Sequence, residues 1–107
     1  MKPPLLYMDE ECKPFREVYS LINVLTDYYS NETRNATLLV TNNEWQPIPD
    51  LPGCRKRKDI TFPLNKLTEI HIKLDKIIFK CKEKEYSINL SKDFFYIIEY
   101  EDEAGVI

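Results

Sequence analysis

Between residues 69 and 90 apolar and polar side chains trade places at every second position, and that period confines the segment to β-strands. In Glu69-Ile70-His71-Ile72-Lys73-Leu74 the alternation is strict. Ile77, Phe79 and Cys81 then take one side while Ile78, Lys80 and Lys82 take the other, and Tyr86, Ile88 and Leu90 repeat the arrangement. Successive side chains of a strand point to opposite faces of a sheet, so each run supplies one buried face. The run Phe94-Phe95-Tyr96-Ile97-Ile98-Glu99-Tyr100 is apolar on both faces, which suits an interior strand or one covered by a helix. Four strands joined by the short links Asp75-Lys76 and Glu83-Lys84 predict an antiparallel meander, although neither link has the Asn-Gly chemistry of the favoured two-residue hairpins.

Upstream the period changes from two to 3.6. Phe15, Val18, Leu21, Ile22, Leu25 and Tyr28 or Tyr29 fall on one helical face, with Arg16, Glu17, Ser20, Asn23 and Asp27 opposite. Pro14 suits the first helical position, where its missing N–H has no intrahelical partner, and Ser30-Asn31 ends the helix, giving about 14–30. Ala36-Thr37-Leu38-Leu39-Val40-Thr41 is rich in β-branched residues and reads as a strand closed by an Asn42-Asn43 turn. Residues 46–53 hold Pro47, Pro49 and Pro52 and read as an extended loop that the basic run 55–58 continues. A short strand over 60–64 is confined to a sheet edge by Pro63. Residues 1–13, with Pro3, Pro4 and the acidic Asp9-Glu10-Glu11, read as an irregular arm, and 101–107 as an acidic tail.

One helix followed by strands predicts a single α+β domain over residues 1–107. Its helix packs on a curved antiparallel sheet of four to six strands, mostly a C-terminal meander. A small open β-barrel with one helix is the alternative. The chain's 107 residues and 43% hydrophobic content exceed what a disordered segment carries.

Several functional classes are disfavoured. Two glycines cannot supply a Walker or Rossmann phosphate loop. No apolar stretch approaches a membrane span, and acidic residues interrupt the first ten positions before a signal peptide could form, so a cytoplasmic protein is expected. Three widely spaced cysteines, Cys12, Cys54 and Cys81, suit reduced thiols better than a disulfide framework. The sequons at Asn31, Asn35 and Asn89 carry little weight without secretion. Cys12, Cys54, Cys81 and the single histidine, His71, lack the C-x₂₋₄-C spacing of zinc sites, so no metal or other cofactor is expected. His71 alternates with Ile70 and Ile72 and has no motif-defined nucleophile or carboxylate, so a surface or structural role is expected. Cys54 precedes four cations that would favour its thiolate. A cysteine-dependent enzyme is nevertheless the least favoured reading, because no base is placed beside that thiol.

Charge is sorted along the chain. Residues 1–53 carry four Lys/Arg against eight Asp/Glu (−4), 54–84 ten against four (+6), and 85–107 one against six (−5). Opposed patches steer charged partners. Glu99, Tyr100, Glu101, Asp102 and Glu103 form an acidic, aromatic stretch suited to a basic protein such as a toxin or nuclease. Trp45 is either a cap on the core or an exposed anchor of the same interface. The expected function is that of a non-enzymatic protein-binding module or inhibitor, of the kind of a bacterial immunity protein or phage-type inhibitor, occluding its partner. The alternative is a nucleic-acid-binding accessory protein that uses the basic segment 55–84, with Arg55, Lys56, Arg57 and Lys58 at phosphates and Trp45 or a tyrosine on a base.

Overall fold

The structure, a computed structural model, describes residues 2–13, 15–91 and 93–101. Its elements run β1 (Leu5–Met8), α1 (Arg16–Asn31), β2 (Ala36–Pro47), β3 (Arg55–Pro63), a 3-10 turn (Leu64–Lys66), β4 (Leu67–Ile72), β5 (Lys76–Cys81), β6 (Lys84–Asn89) and β7 (Phe95–Tyr100). The strands form two sheets, ordered β1-β4-β5-β6 and β3-β2-β7. Every pairing is antiparallel except β1 with β4. The predicted α+β class is therefore present, and the sheets do not close into a barrel.

Period two decides which side chains meet. Ile70 and Ile72 of β4, Ile77 and Phe79 of β5, and Ile88 of β6 point inward and are buried. They face Leu38 and Val40 of β2 and Ile60 and Phe62 of β3, so both sheets share one core. Phe62 links them directly, with its ring 5.1 Å from Phe79 and stacked at 5.5 Å on Tyr86. At the opposite opening lies α1, whose Val18, Leu21, Leu25 and Tyr28 are buried at helical spacing. Each such apolar side chain contributes about 1.5–3 kcal/mol by leaving water. Ser20 shares a 2.6 Å hydrogen bond with the Tyr96 hydroxyl of β7, and Ile22 and Leu25 line a groove together with Leu6 of β1. The helix thus spans the opening between the outer edges of the two sheets, with a groove left between it and β1. It ends where the Glu32 N–H donates to the Tyr28 carbonyl, and the Glu32 carboxylate accepts from the Thr33 and Arg34 N–H groups.

Four expectations are corrected. The fourth strand leaves the meander: β7 pairs with β2, in register from Ala36↔Tyr100 to Thr41↔Phe95. An apolar run does not encode which distant strand it joins, and the turn closed by Phe94 N–H to the Ser91 carbonyl carries the chain to the other sheet. The N-terminal arm is not irregular throughout, because Leu5–Met8 pairs with 69–72 at an edge, where the preceding prolines cost no ladder donor. Asn42-Asn43 does not end β2 but forms a bulge, and β2 continues to Pro47 against a β3 that starts at Arg55. The β5–β6 turn falls at Lys82-Glu83, one residue before the expected link, with Lys82 at φ 22°. Pro14, the expected helix start, lies outside the described residues; α1 is present from Arg16. As expected, the strand holding Pro63 is an edge strand.

Candidate recognition arm

Beyond Thr41 the central strand loses β7 and, among the described residues, is paired by β3 alone, so β2 and β3 continue as a two-stranded ribbon. A bulge between Thr41 and Trp45 sets its direction. Three residues there oppose one, and Asn43 adopts φ 60°, a conformation asparagine tolerates better than most residues. The bulge is fastened from below. Thr41 Oγ1 donates to the Lys58 carbonyl (3.1 Å) and accepts from the Asn43 N–H (3.2 Å). Buried Asn42 donates from Nδ2 to the Asn89 carbonyl of β6 (2.9 Å), while its Oδ1 accepts from the Glu44 N–H (3.0 Å). One side chain therefore ties the root of the ribbon to the other sheet.

Past the bulge the register is Trp45↔Arg57, Gln46↔Lys56 and Pro47↔Arg55. Directly paired residues share a face, which puts Trp45, Pro47, Arg55 and Arg57 on one side and Gln46 with Lys56 on the other. Trp45 is 59% exposed, so it does not cap the core. Arg57 is held by Asp59 (Nε to Oδ1, 2.9 Å) and lies 5.4 Å from the Phe95 ring centroid. The tip is closed by Ile48 N–H to the Cys54 carbonyl and Cys54 N–H to the Leu51 carbonyl, with Gly53 at φ 83°. The predicted proline-rich loop is thus the hydrogen-bonded end of a hairpin, and it presents exposed Leu51.

Among the described residues of the acidic, aromatic stretch, Glu99 and Tyr100 do not share one surface. Glu99 and Tyr100 leave opposite faces of β7, as alternation requires. Tyr100 sits among Tyr28 and the Arg34 guanidinium, which is 4.4 Å from its ring centroid, and Glu99 opposes Thr37 on the outer face. The backbone of Glu101 is tied to the Asn35 carbonyl, while Asp102 and Glu103 lie outside the described residues. Trp45 is nine residues along β2 from the partner of Tyr100, roughly 30 Å at about 3.3 Å per residue. These two parts of the expected interface are separate. The arginine that holds Tyr100 also holds Glu32 through a 2.9 Å ion pair, and hydrogen bonds from Arg34 bring that carboxyl down to about 2.

Nor do the cations of 54–84 form one field. Lys80 lies in register between Glu69 and Glu85 on the outer face of the four-stranded sheet. Lys66, Lys82 and Lys84 surround a groove of about 420 Å³ beside Phe62 and Tyr86, at the end of β3 away from Arg55–Lys58. His71 stacks on Tyr7 at 4.6 Å, with Glu69 Oε1 3.6 Å from its Nε2. Cys54 is exposed at the hairpin tip on the other sheet. Cys12 and Cys81 are buried, and desolvation raises both thiols, aided at Cys12 by Asp9 and opposed at Cys81 by Lys66. Among the described residues no group of three His, Cys, Asp or Glu side chains could hold a metal ion, and no helix is long and apolar enough to cross a membrane.

From the sequence, Trp45 joins the basic run only in the nucleic-acid alternative, and without their strand pairing, which the intervening prolines hid; two β segments flanking seven residues that hold Pro49, Pro52 and Gly53 were the available signal. Fold and arm together define an α+β domain carrying a protruding β-ribbon. Comparison with protein family models, curated proteins and solved structures gives no match.

Proposed function

We propose that this protein is a non-enzymatic protein-binding module whose recognition element is the β2–β3 arm, with Trp45 as its anchor. The carrying observation is a tryptophan 59% exposed on a hydrogen-bonded ribbon, sharing its face with Arg55 and Arg57. Tryptophan and arginine dominate interface hot spots because each buries a large rigid surface and Arg forms bidentate bonds to carboxylates. Pro47 extends the apolar part of that face, and exposed Leu51 stands at the tip beyond it. Such an arm inserts an indole into an apolar cleft rimmed by carboxylates, and at a standard interface of about 800 Å² per side it would inhibit its partner by occlusion. This gives the partner a locally acidic site in place of the basic one expected from residues 99–103.

Protein is favoured over nucleic acid by charge. Over 44–59 the four cations Arg55, Lys56, Arg57 and Lys58 stand against Glu44, Asp50 and Asp59, a net of +1, in a chain of net −3. Phosphate binders need a larger local excess, since each neutralised phosphate contributes through counterion release.

The test is affinity capture from cells that express the protein, comparing the native chain with Trp45→Ala and with Glu99→Gln/Glu101→Gln. The account expects one protein retained stoichiometrically by the native chain and the acidic-site variant and lost with Trp45→Ala. Retention on a polyanion matrix that falls steeply with salt, and is lost when Arg55–Lys58 become serine, would replace it with the nucleic-acid reading.

A further inference from the structure

We propose that two copies of this chain associate through an antiparallel β1–β1 pair, joining their four-stranded sheets into one eight-stranded sheet. β1 lies at the end of the order β1-β4-β5-β6 and, among the described residues, is paired only with β4. All four of its residues are apolar and well exposed: Leu5 56%, Leu6 47%, Tyr7 46% and Met8 38%. An uncovered apolar edge is a template for another strand, and natural edges are normally blunted by charge, a bulge or a covering element. This one carries no charge along its length.

Backbone geometry selects the pairing. The Asp9 N–H donates to the Ile72 carbonyl, so Asp9, and by alternation Tyr7 and Leu5, turn their backbone groups toward β4. Leu6 and Met8 therefore direct N–H and C=O outward, together with the Pro4 carbonyl. In a two-fold antiparallel pair centred on Leu6, the two Leu6 residues exchange N–H and C=O, and each Met8 N–H donates to the other copy's Pro4 carbonyl. Pro4, which has no N–H, falls where only its acceptor is used. The same register sets Leu5 against Tyr7 on the outer face, where Tyr7 is already braced by its stack on His71.

Charge complementarity argues for a second copy as the occupant. Lys2 precedes β1 and Asp9, Glu10 and Glu11 follow it, all exposed. An antiparallel pair brings each Lys2 beside the other copy's acidic cluster, whereas a parallel pair would set the two acidic clusters side by side. A groove of about 190 Å³ between β1 and α1, lined by Leu6, Ile22 and Ile70 among others, lies on the inner side and admits apolar side chains from the incoming strand.

Sedimentation velocity of the full chain from about 1 to about 200 µM reads the association directly, because a dimer's population follows protomer concentration. The expected result is a concentration-dependent species of twice 12.8 kDa. Leu6→Pro, which removes both central donors, is expected to weaken it by about tenfold or more. Lys2→Glu weakens it and Lys2→Glu/Glu10→Lys restores it, which keeps the test decisive if the proline variant fails to fold. A 12.8 kDa species throughout the range would overturn the proposal and leave the edge to an extended segment of a different protein. A dimer indifferent to both Leu6→Pro and the charge exchange would overturn it equally.

Discussion

Asn42→Ala cuts the arm from its support while leaving Trp45 and every cation in place. The side chain is 7% exposed and bridges two sheets, with Nδ2 on the Asn89 carbonyl at 2.9 Å and Oδ1 on the Glu44 N–H at 3.0 Å. Each hydrogen bond contributes about 1 kcal/mol net, and a buried carbonyl left without a donor costs about 1–3 kcal/mol. Removing both bonds is therefore expected to cost about 2–4 kcal/mol. With a urea dependence near 1.5 kcal/mol per molar for a domain of this size, the unfolding midpoint falls by about 1–3 M at unchanged slope. Amide exchange in residues 44–58 is expected to quicken more than exchange in β4 and β5, since a local opening no longer has to break the tie to β6. Asn42→Asp keeps the acceptor for the Glu44 N–H but sets a carboxylate against a carbonyl and near the Glu44 carboxylate, so it is expected to be at least as damaging. A midpoint within about 0.3 M of the native value for Asn42→Ala, with arm exchange unchanged, would refute the claim that this residue fixes the arm.

Other outcomes follow from the same geometry. Leu21, 1% exposed beneath the helix, becomes an unpaired buried charge in Leu21→Asp, which is expected to abolish cooperative unfolding by circular dichroism. The Tyr29 hydroxyl donates to the Leu64 carbonyl, and burial, with Tyr28 and Cys81 nearby, raises its ionisation well above the ordinary value of 10. A raised acid stabilises the folded state fully below the unfolded value and loses that contribution as pH rises past it. Stability is thus expected to fall above about pH 10, and Tyr29→Phe to flatten that limb in urea titrations. Glu32 has the opposite sign: its carboxyl is lowered from 4.5 to about 2 by Arg34, so its contribution is present above 4.5 and lost as pH falls toward 2. Glu32→Gln is expected to remove that part of the acid limb. A thiol reagent is expected to modify exposed Cys54 in the native state and buried Cys12 and Cys81 only on unfolding, read by mass spectrometry of timed samples.

Local pattern carried what local physics controls. Ile70, Ile72, Ile77, Phe79 and Ile88 announced their inward faces by period, and Val18, Leu21, Leu25 and Tyr28 did so at helical spacing, because a buried face fixes the repeat. Partner choice was not legible. Phe94–Tyr100 would look the same beside β6 as beside β2, and only the register of Leu38 with Ile98 and Val40 with Tyr96 shows which core it completes. Leu5–Met8 is too short for any period to show, and Pro3-Pro4 masked it. At the arm the prolines correctly marked a turn, yet concealed that the chain on either side is paired strand. Trp45 and Arg57, twelve residues apart in sequence, therefore gave no sign of being neighbours. At the acidic stretch the reason is simpler: consecutive residues of a strand cannot share a face, so Glu99 and Tyr100 do not lie on one surface.

The central claim, that the ribbon makes the contact, is tested most directly by placing a photoreactive side chain at position 47, beside Trp45, and separately at position 99, then irradiating living cells that express the protein. One discrete crosslinked protein from position 47 and none from position 99 is the predicted result. A crosslink from position 99 alone would move recognition to β7 and contradict the account.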